Sequence, residues 1–288
     1  MPILASGVPV LSSHSNRIVL ALGMLFLIVL ALPLATGWDP ILVAVENRLL
    51  APDRTHLLGT DDLGRDVLSR VLHGAKLTVS VSILALLTSL GIGTVLGACA
   101  GYFYTRWPDN LFGWLADFII AVPFVVLIAA ILTLIGPGVE KAYMVLVGII
   151  WVAPARIVRA EVIKTMQMEF VLAERAIGTA EWKIVFVSVL PTCVESAVIF
   201  AAGYLPEIIA LEAGLSFLGL GVQPPDPGLG KMIFDGINYM TSAWWLALSP
   251  AVMLFLLILT MQGIVWILTY NGTGGKNAHL SLLSTEDS

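Results

Sequence analysis

The sequence predicts an all-α membrane protein with six transmembrane helices. Of its 288 residues, 58% are hydrophobic and only 12% are charged, and the mean hydropathy is +0.93. Soluble domains carry roughly 25% charged residues, so this chain has too few charges to cover a water-facing surface, and a lipid bilayer is its natural surrounding. The net charge of −5 gives no indication of a nucleic-acid partner.

Six apolar stretches approach or exceed the length that a bilayer core requires, about 20 residues per helix. The first, 18–38, is interpreted as a retained span, because its apolar run is longer than that of a typical signal peptide. The second, 77–100, carries Gly91, Gly93 and Gly97, small residues that let helices pack closely in lipid. The other spans are predicted at 111–135 (with Asp117 and Pro123), 143–158 (interrupted by Pro154), 192–211 and 244–270.

The longest polar interruption between spans has the pattern of two short helices. From Arg159 onward, apolar residues recur at three- and four-residue steps, which predicts an amphipathic helix. Gly178 is the expected C-cap of that helix, Thr179 is a plausible cap for the next one, and Pro191 marks the return to the membrane. Such an element suits docking against a partner outside the bilayer, although the amphipathic pattern equally fits a helix lying on lipid. The apolar stripe comprises Val162, Ile163, Met166, Phe170, Ala173 and Ile177.

Three motifs, which follow one another along the chain in the family's order, resemble the permeases of ABC importers of the dipeptide/oligopeptide/nickel family. Ala173, Gly178 and Leu190-Pro191 have the spacing of the family's EAA loop, although Leu172, Glu174 and Ser188 depart from its pattern. The stretch "HLLGTDDLGRDVLSRVLHGAKLTVSV" (56–81) is similar to the segment that opens the family's second span. The stretch "EAGLSFLGLGVQPPDPGLGKMI" (212–233) is similar to the segment after the fifth span. The resemblance covers residues 48–260 and is closest to the C-type subunit of each permease pair.

The resemblance implies a type I ABC importer permease fold in the bacterial inner (cytoplasmic) membrane. It implies a cytoplasmic tail (1–17), the first span (18–38), an extracytoplasmic loop (39–76), a transmembrane core of five helices (77–270) and a flexible cytoplasmic tail (271–288). Within the core, residues 159–190 form what we call the coupling loop, which the family places in the cytoplasm. Lys and Arg counts do not decide the orientation independently, because loops 39–76 and 156–188 hold five each. The C-terminal stretch "LTYNGTGGKNAHLSLLSTEDS" departs from the basic tail usual in the family.

The resemblance also implies partners. The expected complex contains a homologous permease forming a heterodimer with this chain, two ABC ATPase subunits and an extracytoplasmic solute-binding protein. ATP and magnesium are expected on the ATPases, with no cofactor on this chain. The solute is expected to be a dipeptide, an oligopeptide, nickel or a metal complex.

The residues themselves do not suggest an enzyme. No stretch fits the phosphate-binding pattern Gly-x4-Gly-Lys-Ser/Thr, and no His, Cys, Asp and Glu residues have metal-site spacing. A secondary transporter or channel working without an ATPase is the alternative; it predicts inverted repeats and broken helices, and the sequence has no evident repeat. An intramembrane enzyme is a third reading, for which the chain lacks a convergent catalytic set.

Three groups of residues are predicted to carry the function. Phe170, Ala173, Glu174, Gly178, Trp182, Leu190 and Pro191 are expected to couple to the ATPases, with Phe170, Ile177 and Trp182 as docking anchors. The second group is interpreted either as a rigid outer gate or contact surface for a binding protein, or as a self-satisfied turn that caps the second span, and the turn is favoured; it comprises Gly59, Asp61, Gly64, Arg65 and Asp66. Glu195 and Glu207, about three helical turns apart, are hypothesised to line the translocation path and to favour a cationic or metal-bearing solute. The alternative is that Glu195 lies in water at the cytoplasmic interface, close to Pro191. Asp117 and Glu212 are assigned to structural hydrogen bonding or the subunit interface.

Overall fold

The computed structural model describes the backbone of residues 37–283 and the side chains of residues 37–266 except Glu195. Residues 1–36, and with them almost all of the first predicted span, lie outside the described residues. Within the described part, four helices are long and apolar enough to cross a membrane, and a sharply bent helix pair provides a fifth crossing if it counts as one span. The total of six spans therefore stays a prediction.

The part of the chain between residues 37 and 283 is helical and contains no strand. The helices are α1 (Val67–Tyr102), α2 (Trp107–Ala121), α3 (Phe124–Ile135), α4 (Val139–Ile150), α5 (Val152–Thr165), α6 (Glu169–Ala176), α7 (Glu181–Lys183), α8 (Leu190–Phe217), α9 (Leu229–Ile237) and α10 (Trp245–Leu283). A 3-10 turn at Val45–Asn47 precedes α1, and a π-helical turn at Ile184–Val189 joins α7 to α8.

Helix α1 begins at Val67, well before the predicted start of the second span at Leu77. The Asp66 carboxylate accepts the backbone N–H of Ser69 at 2.7 Å, which satisfies a donor at the helix start. Hydropathy alone missed these first turns because they carry Arg70 and Lys76.

The predicted third span is two helices, α2 and α3, that meet at an angle of 88°. The bend falls at Val122–Pro123, as expected for a proline, which cannot donate a backbone hydrogen bond. In the fourth span the expected break at Pro154 is displaced. The helix breaks at Trp151, and Pro154 lies in the first turn of α5, where its missing N–H leaves no bond unmade.

Close packing of α1 against α5 forms the centre of the fold. A Cβ atom added at Gly93, Gly97 or Gly101 would lie 2.7, 2.3 or 2.8 Å from successive α5 carbonyl oxygens. Two of the predicted packing glycines are confirmed, Gly101 was missed, and Gly91 faces open space. The facing carbonyls belong to Trp151, Ala155 and Arg159.

The remaining helices complete two ends of the molecule. At one end, α9 and the start of α10 pack against the start of α1, with Val67, Leu229 and Trp245 in one apolar cluster. At the other end, the coupling loop packs against the end of α1. Helix α10 continues through Leu283, whereas a flexible tail was predicted from residue 271; no proline in that stretch interrupts the helix.

Candidate functional site

The coupling loop has the predicted helix–glycine–helix form. Helix α6 ends at Ala176 with Ile177 as its C-cap, and Gly178 follows with φ +82°, a left-handed conformation that favours glycine. Thr179 does not cap the second helix as predicted. The N-cap of α7 is Ala180, without a side-chain bond, and the Thr179 backbone N–H instead donates to the Glu174 carbonyl at 3.0 Å.

Polar pairs inside the coupling loop hold its two halves together. Arg175 donates to both carboxylate oxygens of Glu181, at 2.8 and 3.2 Å, and this hydrogen bonding raises the pKa of Arg175. The Ser188 hydroxyl donates to the Glu174 carboxylate at 2.8 Å. Glu174 and Ser188, both departures from the family pattern, therefore bond to each other across the loop.

Apolar residues of the coupling loop divide into a buried set and an exposed set. Val171, Ile184 and Val189 are fully buried and anchor the loop in a cluster with the end of α1 and the start of α8. In contrast, Ile177 is 81% exposed and Trp182 is 66% exposed. The prediction of one continuous apolar stripe from Arg159 onward is wrong in one respect. The helix breaks between α5 and α6, and only the first part of the stripe is buried. Of the other predicted coupling residues, Phe170, Ala173, Gly178 and Pro191 are exposed, and Leu190 is half-buried.

The segment 38–66, which we call the clasp, is tied together by Asp61. The Asp61 carboxylate accepts the backbone N–H groups of Leu63 and Arg65, both at 2.9 Å, and the Arg65 Nε–H at 2.7 Å. Arg70 of α1 lies 3.4 Å from the same carboxylate and also donates to the Pro40 carbonyl at 2.7 Å. These bonds match the predicted self-satisfied turn.

Two glycines and a tryptophan close the clasp. Gly64 has φ +76°, and a Cβ atom there would lie 1.7 Å from the Ala44 carbonyl oxygen. Gly59 has φ +71°, and its Cβ atom would meet the Trp245 indole nitrogen at 2.8 Å. Asp66, besides capping α1, lies 2.9 Å from His56 Nδ1 rather than against Arg65. The clasp thereby connects the start of α1 to the start of α10.

Glu212, near the end of α8, is buried in a structural hydrogen-bond network. Its carboxylate accepts the Ser216 hydroxyl at 2.8 Å, and the Ser216 oxygen accepts the Val222 backbone N–H at 3.1 Å. The following loop is pressed against α8, since a Cβ atom at Gly230 would lie 1.8 Å from the Ala213 carbonyl oxygen. These contacts fit the structural assignment of Glu212.

Glu195 and Glu207 both lie in α8, but only the side chain of Glu207 is described. Glu207 is exposed on the chain surface, one turn along α8 from Tyr204. The Glu207 carboxylate is not brought into the clasp or the coupling loop.

Two ion pairs between α2 and α5 were not predicted. Arg159 donates to both carboxylate oxygens of Asp109, at 2.5 and 3.0 Å. Arg156 donates to Asp117 at 2.5 Å, and this second pair is exposed, with 45% and 76% of the two side chains accessible. The paired residues are 50 and 39 positions apart in the sequence, so no short-range sequence pattern indicates the pairing. The one sequence signal for these pairs was the presence of Arg156 and Arg159 where the predicted fourth span passes into a loop.

A cavity of about 330 Å³ opens where the two helix breaks meet, and we call it the kink groove. Its walls come from the α2–α3 bend, the α4–α5 break and one face of α8. Ile120, Pro123, Phe124, Ile150, Ala153 and Tyr204 are among the residues that line it.

The chain is similar to curated peptide permeases. It is 35% identical to the dipeptide transport system permease protein DppC of Alkalihalophilus pseudofirmus, over 81% of this chain and 76% of that protein. It is 35% identical to the oligopeptide permease OppC of Mycobacterium bovis, over 74% of each chain. It is 34% identical to the glutathione permease GsiD of Pectobacterium atrosepticum, over 73% of this chain and 70% of that protein.

A solved structure supports the fold. The inward-facing MetNI methionine ABC transporter matches with a TM-score of 0.52 and 18% identity, over 70% of this chain and 96% of that one. The family model for the binding-protein-dependent transport system inner membrane component matches residues 93–269. The fold is therefore that of a type I importer permease, in a bacterial inner-membrane protein whose family leaves ATP hydrolysis to partner ATPases. The chain belongs to the family of binding-protein-dependent transport system inner membrane components, as a permease of the ABC peptide-importer type.

Proposed function

We propose that this chain forms half of a translocation pathway for dipeptides or oligopeptides and is driven by ATPases through the coupling loop. In this proposal a homologous permease supplies the other half, two ATPases bind at the coupling-loop end, and a solute-binding protein delivers the solute at the clasp end. ATP and magnesium act on the ATPases, and this chain binds no cofactor. The curated relatives named for dipeptide, oligopeptide and glutathione transport favour peptides over nickel or metal complexes.

The observation that carries the coupling proposal is the exposure of Ile177 and Trp182 on an anchored loop. Large apolar side chains on a water-facing loop are unfavourable unless a partner covers them. The loop cannot rotate them inward, because its opposite face is fixed by buried Val171 and Ile184. ATPase closure would push this surface, and the anchored face would pass the movement to α5 and α8. Rigid-body rocking of such helices is a common route to alternating access.

Paired substitutions test the coupling proposal. The variant I177A/W182A is expected to weaken co-purification of the ATPases about tenfold or more, because aromatic and apolar anchors dominate such contacts. Peptide-stimulated ATP hydrolysis should fall with it. The matched control is L134A/W107A, which removes side chains of the same kinds that are 86% and 75% exposed outside the coupling loop.

The proposal predicts that the control retains its ATPases. Equal loss in both variants, or retention in both, would exclude the coupling loop as the docking surface. A wild-type chain that transports peptide after purification without any ATPase would favour the secondary-transporter alternative.

Glu207 and Glu195 are proposed to line the path. Glu207 supports this role because it is exposed at a depth where charges face a cavity or a partner. The double variant E195Q/E207Q is expected to reduce uptake of peptides with a free amino group. Unchanged uptake of every peptide tested would remove both residues from the path.

A further inference from the structure

We infer that the kink groove is a transient site for the two charged ends of a peptide, with Arg156 receiving the carboxylate and Glu207 receiving the ammonium group. This inference rests on the proposed peptide transport and names the chemistry by which the path would hold its solute. Four observations support it: the depth of an exposed ion pair, its place beside the groove, the face of α8 that carries Glu207, and the apolar walls.

The Arg156–Asp117 pair is exposed, and Asp117 lies on α2, the first half of the bent helix pair that can form one span. Asp117 lies about ten residues along α2 from Trp107, or roughly 15 Å at 1.5 Å per residue, which is half of a hydrocarbon core of about 30 Å. Charged side chains at that depth face a cavity or another subunit. The second pair, Asp109–Arg159, has a buried carboxylate, so it is a structural tie and the exposed pair is the one left available.

The exposed pair does not itself line the kink groove but lies about one helical turn from two residues that do. Ile120, one helical turn beyond Asp117, lines the groove, and so does Ala153, one turn before Arg156. Both charged residues lie on the coupling-loop side of these lining residues, since α2 rises from that end and α5 descends toward it. A solute in the groove would therefore meet the guanidinium of Arg156.

Glu207 lies on the α8 face that forms the opposite wall. Tyr204 and Leu211 line the groove, three residues before and four residues after Glu207, and these spacings place all three on one face of a helix. Glu207 is exposed and lies one turn along α8 from Tyr204. The carboxylate is thus available to a cation that enters the groove.

The composition of the groove fits a short peptide. Its size, about 330 Å³, falls within the roughly 300–1,000 Å³ of small-molecule sites. The side chains that line the groove are apolar, except for that of Tyr204. Peptide side chains of different kinds therefore meet no polar lining group that would select among them. Opposite charges at its two sides complement the one feature that all free peptides share. Because Arg156 is already paired with Asp117, the peptide carboxylate competes with Asp117 and is held only in passing, as transport requires.

Chemical protection in the assembled complex tests the inference. Ile120→Cys places a reporter thiol in the groove, after Cys99→Ala and Cys193→Ala remove the native thiols. A small neutral thiol reagent is applied to the nucleotide-free complex with alanylalanine, N-acetyl-alanylalanine or alanylalanine amide. Leu57→Cys in the clasp, 62% exposed and remote from the groove, serves as the control reporter.

Alanylalanine is expected to slow labelling of Ile120→Cys and to leave Leu57→Cys unaffected. Each blocked peptide should protect about tenfold less well, the factor that one charge-assisted hydrogen bond of about 1.4 kcal/mol represents. R156Q should abolish the difference between alanylalanine and its amide, while E207Q should abolish the difference between alanylalanine and its N-acetyl form. R156K, which keeps the charge, should retain part of the first difference.

Two results would overturn the inference. One is labelling that no peptide slows in a complex that still imports alanylalanine with ATP; peptide import would then stand and the groove site would fall. The other is a uniform loss of protection in R156Q and E207Q for all three peptides, which would mean that both residues act only on structure. A second variant, D117N/R156Q, removes both partners and avoids leaving an unpaired carboxylate. If it too loses only the amide difference, the role of Arg156 is separated from a folding defect.

Discussion

The clasp and the coupling loop differ in which of their side chains are buried and which are exposed. In the clasp, the charged groups turn inward and pair with one another, with Asp61, Asp66 and Arg70 all buried. In the coupling loop, apolar groups turn outward, and Ile177 and Trp182 are among the most exposed large side chains in the described part of the chain. The buried charges of the clasp pair with one another, whereas the exposed apolar residues of the coupling loop are covered only in the complex that we propose. Stability should therefore depend on the first region and coupling on the second.

Two glycines with the same backbone conformation offer the sharpest test of this contrast. Gly64 and Gly178 have φ values of +76° and +82°, but a Cβ atom at Gly64 would lie 1.7 Å from a backbone oxygen, whereas Gly178 has open space. We expect Gly64→Ala to cost roughly 2–6 kcal/mol through backbone strain and overpacking together. Gly178→Ala should cost only the strain, roughly 1–2 kcal/mol. Thermal unfolding of the two purified variants measures the difference.

Equal destabilisation by the two glycine variants would contradict the contrast. It would mean that the coupling loop is as tightly built as the clasp. A large loss of ATPase coupling in Gly178→Ala, with little loss of stability, would support the division of labour.

A second prediction concerns the carboxylate at the centre of the clasp. Asp61→Asn removes the charge that faces Arg65 and Arg70, and Arg70 then stays buried without its partner. We expect a loss of about 3 kcal/mol, typical of removing one member of a buried ion pair. The matched control is Asp62→Asn, because Asp62 is 42% exposed and lies 3.9 Å from Arg65; its effect should be near zero. Chemical denaturation followed by tryptophan fluorescence gives both values, and similar losses would refute the central role of Asp61.

The two regions also differ in how far the sequence predicted them. The clasp turn and the Gly178 cap were predicted, because local spacing determines both. A glycine followed by a polar helix start, or an aspartate within reach of an arginine four residues on, is a short-range signal. The Pro123 bend was not predicted, although the proline itself was noted in the third span. The division of the coupling-loop residues into buried and exposed sets could not be read from a stripe, since it depends on where α6 meets α8.

Sequence analysis did not predict the contacts between residues that are far apart along the chain. Nothing near Asp117 indicates that Arg156 will meet it, because the contact requires α2 and α5 to pack side by side. The interruption of the fourth span was predicted at Pro154 but lies at Trp151, for a related reason. Pro154 is the obvious helix breaker, yet it lies in the first turn of α5, where proline is tolerated, and the interruption falls at Trp151 instead. The kink groove, formed by three non-adjacent segments, was invisible until those contacts were known.

The smallest expected effect concerns the one ion pair that spans the coupling-loop hinge. Arg175 and Glu181 join α6 to α7 across Gly178, with 38% and 47% of their side chains exposed. An exposed pair contributes about 0.2–1 kcal/mol, so Arg175→Gln should leave the unfolding temperature almost unchanged. Because the pair bridges α6 and α7, we expect it to help hold Trp182 in place relative to Ile177, and coupled ATP hydrolysis should fall by more than the stability does. Lys164→Gln is the control, since Lys164 lies 3.9 Å from Glu161 and outside the hinge. Because salt screens exposed charges, the activity difference between wild type and Arg175→Gln should shrink as ionic strength rises. A difference that persists in high salt would show that Arg175 contacts the ATPase directly, and the coupling loop would then owe its docking partly to charge rather than to its apolar surface alone.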